Sequence, residues 1–240
     1  MWCKSSVLAP GSGGVCALPV QRRPGRVVMM LPAGARTQLE ARLAEIGLAP
    51  PAAAVEGLLA YLELLLRWNA AYNLTAVREP LAMVDRHLVD ALAILPHVRE
   101  SQMADVGTGP GIPGLVLALV RPFERLWLID SNGKKARFLR ECVRVLALPG
   151  ITVVQERAEA LAPQPSFPLV VSRAYADLAT FVASTRGLLA PGGRWLAMKG
   201  RRPDQEIADL PANVRVLAIH RLEVPGADGE RHLVEMLREG

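Results

Sequence analysis

Apolar residues recur at helical spacing through the first third of the chain and at strand spacing after it. Thr37, a residue type that caps helices, opens a stretch in which Leu39, Leu43 and Ile46 share one face and Gly47 stands at the stop position, which predicts a short amphipathic helix. Beyond Pro50 and Pro51, the residues Val55, Leu58, Leu59, Leu62, Leu65 and Leu66 form a longer stripe that ends at Arg67 and Trp68 and predicts a second helix. Asn73, Leu74 and Thr75 read as a loop. Pro80 suits the first turn of a third helix, with Leu81, Val84, Leu88, Leu92 and Leu95 as its buried stripe.

From residue 102 short apolar runs alternate with helix-length segments. Met103–Val106, Leu126–Ile129, Ile151–Val154, Leu169–Val171 and Trp195–Met198 read as strands, and this alternation predicts an α/β fold with a parallel sheet. Lys134–Leu146 reads as a crossover helix with Phe138, Val145 and Leu146 near one face and cations elsewhere. Val214–His220 and His232–Leu237, separated by the turn-rich Pro225–Gly229, predict a terminal antiparallel hairpin. The chain thus divides into residues 1–35, rich in Pro and Gly and expected to be a disordered tail, a helical segment 36–98, and an α/β domain 99–240.

With 240 residues, 51% apolar and 21% charged, the composition is that of a globular chain and not of a disordered or collagenous one. No apolar run approaches the roughly 18 residues that cross a bilayer, so a soluble, cytoplasmic protein is expected. Three cysteines, Cys3, Cys16 and Cys142, without C-x-x-C spacing support neither a disulfide framework nor a zinc site. The net charge of +5 is carried by residues 1–36, which hold five cations and no acid; the remainder carries 23 cations against 23 acids. A case for nucleic acid therefore rests on where charges sit, not on the isoelectric point.

The first strand runs into Asp105-Val106-Gly107-Thr108-Gly109-Pro110-Gly111-Ile112-Pro113-Gly114, followed by a helix-forming stretch. Glycines at such a turn let backbone approach a ligand, with N–H groups expected to point into the ligand's space. Gly109–Gly114 satisfies the dinucleotide pattern G-x-G-x-x-G, but its two prolines remove donors from the turn that would hold a pyrophosphate. The alternative, acid-x-Gly-x-Gly-x-Gly from Asp105, is similar to the first motif of class I S-adenosylmethionine-dependent methyltransferases, whose cofactor carries cations that an acid near the loop suits. Asp130, closing the second strand, can accept both ribose hydroxyls of either cofactor.

Taken with Trp68-Asn69, Asn73-Leu74-Thr75, Arg86-His87, Leu128-Ile129-Asp130-Ser131, Arg137-Phe138-Leu139, Ser172-Arg173-Ala174, Met198-Lys199-Gly200 and Gly229-Glu230-Arg231-His232-Leu233-Val234, this loop makes the chain resemble the bacterial small-subunit ribosomal RNA (16S rRNA) guanine-N7 methyltransferases of the glucose-inhibited-division-B (RsmG) type. The resemblance runs from about residue 60 to the C-terminus, with Ala91 where members often have Ser and Tyr175 where many have Phe. It implies a class I, Rossmann-like seven-stranded sheet with an N-terminal helical extension, S-adenosyl-L-methionine as cofactor, and a cofactor site of Gly107, Ile112, Asp130, Ala158, Glu159 and Arg173. Ribosomal RNA or a ribosomal particle is the implied partner.

In the strand order of that class, Asp130, Glu156 and Glu159 fall on one side of the first strand, suited to a cationic cofactor. Arg173, Lys199, Arg201, Arg202, Arg231 and His232 fall on the other, suited to RNA phosphates. Arg201-Arg202 equally reads as a solvated surface run, and His232 as a packed polar residue. His87, three residues before Asp90, reads as one half of a helix-surface pair, and Cys142 as packing. Tyr175 is open to stacking on a base or to burial. No metal site is expected. The fourth strand ends without the Asn/Asp-Pro-Pro-aromatic motif of amino methyltransferases, and guanine N7 has no proton to remove, so no catalytic base is expected. A methyltransferase for a small molecule or protein, and a non-enzymatic cofactor-binding assembly factor, are the competing readings, with a nicotinamide oxidoreductase further off. A monomer is expected.

Overall fold

Gly47 and the two prolines after it separate α1 (Gly34–Glu45) from α2 (Ala52–Tyr72) in the computed structural model, which describes residues 31–239. The first helix begins at Gly34, ahead of the expected Thr37, and Ala35 is already buried on the side that Leu39 and Leu43 continue. Residues 34 and 35 therefore belong to the helical segment, and most of the expected tail, residues 1–30, lies outside the described residues. Along α2 the expected stripe is buried except at Leu59, which is half-buried, with Leu58, Leu62 and Leu65 fully enclosed. Each such leucine contributes about 1.5–3 kcal/mol.

The third helix is interrupted. It opens at α3 (Pro80–Met83), where the Glu79 carboxylate accepts from Leu81 N, widens to a π-helix over Val84–Val89, and returns to α-helix at α4 (Asp90–Leu92). A π-turn shifts every later side chain relative to a 3.6-residue stripe. Leu88 and Leu92 stay buried, but so do Asp85, His87 and Asp90, which corrects the expectation that His87 and Asp90 form a surface pair.

Seven strands follow: β1 (Gln102–Val106), β2 (Arg125–Ile129), β3 (Ile151–Val154), β4 (Phe167–Arg173), β5 (Leu189–Lys199), β6 (Val214–Arg221) and β7 (His232–Arg238). They lie in the order β3-β2-β1-β4-β5-β7-β6, with β7 antiparallel to both neighbours and the rest parallel. β5 starts well before the expected Trp195, because Pro191-Gly192-Gly193, a turn signal in isolation, is carried inside the strand beside a register irregularity in its pairing with β4. Helices cover both faces of the sheet: α1, α2, α5 (Gly114–Val120) and α6 (Gly133–Val145) on one, and α7 (Leu178–Thr185) on the other around Phe167, Phe181 and Trp195.

The buried stripe of α6 runs through Ala136, Phe138, Leu139 and Cys142, and Val145, expected among them, is 46% exposed at the helix end. α8 (Asp204–Ala208) is a single short helix between β5 and β6 with no buried residue. Among the described residues no helix is long and apolar enough to cross a membrane.

Candidate functional site

The glycine loop is strapped to the end of β2. Gly107 N and Thr108 N both donate to Ile129 O, at 2.9 and 3.1 Å, and Gly109 N donates to the Asp130 carboxylate at 3.0 Å. Gly111 N and Ile112 N donate to Thr108 O. The loop's amides are spent within the protein, contrary to the expectation that they point at a ligand, and a pyrophosphate would find few donors there. Gly107 takes φ +66°, and a Cβ on it would lie 2.8 Å from the Tyr175 ring, so both conformation and space require glycine.

Beneath the loop, Asp105 is fully buried. Its Oδ2 accepts from Thr108 Oγ1 at 2.6 Å and from Gly114 N, the first residue of α5, at 2.7 Å, while its Oδ1 has no partner. Burial pushes its carboxyl up to about 7 against the pull of those two donors. Asp105 thus holds the loop and is sealed from a ligand cation, which corrects its expected role.

Of the residues expected at the cofactor, Gly107, Asp130, Ala158 and Glu159 come together around a cavity of about 100 Å³ that Ser131, Glu156 and Tyr175 also line. Asp130 accepts from Gly109 N, from Asn132 N at 2.9 Å, and from Lys135 Nζ at 3.4 Å. Ile112 and Arg173 lie elsewhere. Ile112 is packed into the core, and Arg173 faces a second cavity of about 380 Å³ beyond Tyr175.

That second cavity gathers Lys199, Arg231 and His232 of the expected RNA set with Arg173, Asp90 and Tyr175. The antiparallel β7 puts His232 opposite Lys199, so the start of one strand meets the end of the other. Asp90 clamps the two arginines: Oδ2 accepts from Arg173 and Oδ1 from Arg231 Nε, both at 2.9 Å. Lys199 Nζ donates to Ala176 O and pairs with Glu206 at 2.7 Å. His232 is buried with Nδ1 unpartnered. Arg201 and Arg202 are exposed just beyond Gly200 of the lining, Arg202 paired with Asp204.

The sequence profile of the family described as rRNA small subunit methyltransferase G matches residues 54–234. The chain belongs to that family. It is 54% identical over 177 residues to ribosomal RNA small subunit methyltransferase G of Xanthomonas campestris pv. campestris, covering 74% of this chain and 84% of the relative. The same-named protein of Chromohalobacter salexigens is 50% identical over 201 residues, 84% of this chain and 96% of the relative. Among solved structures, TrmN from Thermus thermophilus aligns at TM-score 0.50 and 20% identity over 72% of this chain and 52% of that one. The N-methyltransferase NodS of Bradyrhizobium japonicum, in complex with S-adenosyl-L-homocysteine, aligns at 0.50 and 16% over 72% and 98%. These two likenesses show the class I fold.

The residues present fit the family's cofactor, S-adenosyl-L-methionine. Gly107 lets the Tyr175 ring pack against the loop at the cleft's edge, Asp130 offers a carboxylate at the end of β2, and Asp130, Glu156 and Glu159 outnumber Arg157 among the charged residues that line the cleft, as a cationic nucleoside requires. The Tyr175 ring lies between this acidic cleft and the basic cavity and lines both.

Three residues that hold the two cavities in place in this methyltransferase escape local sequence reasoning. Asp90 reads locally as half of a helix pair, but its partners lie on β4 and beside β7. Tyr61 is hidden in an apolar stripe, and its hydroxyl holds Pro110 O of the loop at 2.9 Å. Lys135 reaches back from α6 to Asp130. His87 Nε2 meets Thr75 Oγ1 at 2.9 Å, and burial, helped by the Arg173 charge, lowers it to about 4. Burial pushes the Cys142 thiol up, as packing alone requires. Among the described residues no group of His, Cys, Asp and Glu could hold a metal.

Proposed function

We propose that the chain transfers a methyl group from S-adenosyl-L-methionine to N7 of a guanine in small-subunit (16S) ribosomal RNA, acting as a cytoplasmic monomer. The observation that carries this reading is the meeting of an acidic cleft and a basic cavity at Tyr175, at the carboxyl ends of the strands. When bound, S-adenosyl-L-methionine supplies a methyl group on an electrophilic sulfonium.

The chain's own residues position the reactants. Asp130, Ala158 and Glu159 hold the cofactor's nucleoside end, Gly107 lets Tyr175 close the cleft's edge beside it, and Arg173, Arg231 and Lys199 take phosphates flanking the target. Asp90 keeps two of those guanidiniums at a fixed spacing, which limits the freedom lost when RNA docks. Guanine N7 presents an in-plane lone pair without a proton, so alignment is what the site must provide. The groups present suit that need: His87 is sealed and lowered to about 4, and Cys142 is buried within α6, so neither is available as a base.

The test is transfer of labelled methyl to 16S ribosomal RNA lacking the modification, followed by mapping of the modified base. Label at guanine N7 supports the reading. Label in protein or small molecules, or cofactor binding without any turnover, would replace it with one of the two competing readings.

A further inference from the structure

We propose that the outward face of α6 and the last two turns of α2 form a second RNA-binding surface, separate from the basic cavity, which grips ribosomal RNA beside the cofactor cleft. This rests on ribosomal RNA being the substrate.

The face is basic without a structural reason to be so. On α6, Lys134, Arg137, Arg140 and Arg144 are all exposed, and on α2 Arg67 joins them. Arg144 pairs with Glu141 and Lys135 with Asp130, but among the described residues Arg67, Lys134, Arg137 and Arg140 make no ion pair. Their placement opposes helix stability. The first turn of α6 holds two lysines and no acid, against the helix dipole, and Lys134, Arg137 and Arg140 repeat at the three-residue spacing at which like charges repel. A local rule broken on a surface, with no internal partner to compensate, marks a position kept for something outside the chain. The acids nearby are Glu141, held by Arg144, and Glu63, one turn before Arg67.

Aromatic rings interleave with these charges. Trp68 lies 5.7 Å from Phe138 of α6 and 5.3 Å from Tyr72, and Tyr72, in the last turn of α2, is 37% exposed. An exposed ring beside unpaired cations is what an unpaired RNA base and its phosphates require together: a stacking platform and a charged track. A protein partner of acidic character would use the charges but gain less from the ring.

The position joins this face to the site. α6 begins at Gly133, just after Asp130 and Ser131 of the cofactor cleft, and Asn132 Oδ1 caps it by accepting from Lys134 N. α2 ends at Tyr72 and is followed by its C-cap Asn73, whose side chain accepts from Arg78, and the Thr75 hydroxyl just beyond meets His87, one turn before the Asp90 clamp. RNA reaching the Tyr175 junction from the basic cavity can continue over Lys134 onto α6.

The experiment uses the full chain with Arg67, Lys134, Arg137 and Arg140 replaced together by Ala, and separately Tyr72→Ala and Tyr72→Phe. Binding of 16S ribosomal RNA is measured from about 50 to 300 mM salt, with methyl transfer at varied RNA. The quadruple variant is expected to lower the slope of log K against log salt by about 0.7 for each single-strand phosphate it no longer neutralises, or about 0.9 for each duplex phosphate. It should raise KM for RNA about tenfold or more, with kcat at saturating RNA and cofactor affinity unchanged. Tyr72→Ala should raise KM several-fold and Tyr72→Phe should restore it. Unchanged slope and KM in the quadruple variant, with active wild type, overturn this surface alone. A loss seen with the ribosomal particle but absent with naked RNA overturns it in favour of a protein partner. Wild type that labels no ribosomal RNA overturns the proposed function and this surface with it.

Discussion

The hydroxyl of Tyr61, with no solvent exposure, donates a 2.9 Å hydrogen bond to the carbonyl of Pro110 at the crest of the glycine loop. The N-terminal helical segment therefore braces the glycine loop: α2 holds Pro110 on one side as Asp105 holds Thr108 and Gly114 on the other.

Tyr61→Phe keeps the ring and removes this bond, leaving the Pro110 carbonyl buried without a donor. The expected cost is about 1–3 kcal/mol of stability, read by urea denaturation. Affinity for S-adenosyl-L-methionine, measured by calorimetry, should fall as well, because the loop loses its upper support. A stable variant with unchanged affinity would detach α2 from the site.

Asp130→Ala removes acceptors for Gly109 N, Asn132 N and Lys135 together with the carboxylate proposed to anchor the cofactor. Cofactor affinity should weaken by about 1–3 kcal/mol. RNA binding should change little. Unchanged calorimetric affinity would remove Asp130 from the cofactor's contacts.

Asp90→Ala frees two guanidiniums that are only about one-quarter exposed, and should destabilise the fold by about 3 kcal/mol, the lower end for a broken buried pair, because solvent reaches both arginines. KM for RNA should rise while cofactor affinity holds. Asp90→Asn, which keeps one acceptor, should fall between wild type and Ala in both stability and KM. Equal loss of cofactor affinity would mean that the clamp serves the whole cleft.

Two buried groups set opposite pH slopes. Asp105, lifted from 3.8 to about 7, stays protonated in the fold where the unfolded chain is ionised, so its contribution is complete below about pH 4 and is lost as pH rises toward 7. His87, lowered from 6.5 to about 4, stays neutral where the unfolded chain is protonated, so its contribution is complete above 6.5 and is lost as pH falls toward 4. Each slope is at most about 1.4 kcal/mol per pH unit, and between pH 4 and 6.5 they offset one another. Stability measured by denaturation across that range should rise with pH in Asp105→Asn and fall with pH in His87→Gln, relative to wild type. Parallel curves for the three proteins would contradict both shifts.

β1, β2 and β4 are legible in the sequence because strands buried on both faces are largely apolar runs, whereas β3, an edge strand with no fully buried residue, is legible from its β-branched run Ile151–Val154. β5 is legible only from Trp195, since Gly192-Gly193 reads locally as a turn and only the pairing with β4 holds it extended. His87 is misplaced by its spacing because a 3.6-residue stripe cannot register a π-turn. The glycine loop announces itself by composition, but the direction of its amides is fixed by Ile129 O and Asp130, more than 20 residues on. Sorting of acidic and basic ends follows from strand order. The Asp90 clamp does not, as no local pattern can show partners 83 and 141 residues away.

Those separations also carry an expectation about the order of folding. Gly109 and Asp130 close the cofactor side across 21 residues, whereas Asp90 must find Arg231 across 141, a loop whose closure costs about 1.7 kcal/mol more in chain entropy. β7 must also enter between β5 and β6, strands that precede it in the chain. The acidic half can therefore assemble while the basic half is still open, and the expectation is that the basic half opens first in local unfolding. Amide exchange from the native state should release β6 and β7 ahead of β1 and β2, passing through a form of the chain that still holds its cofactor but has let go of RNA.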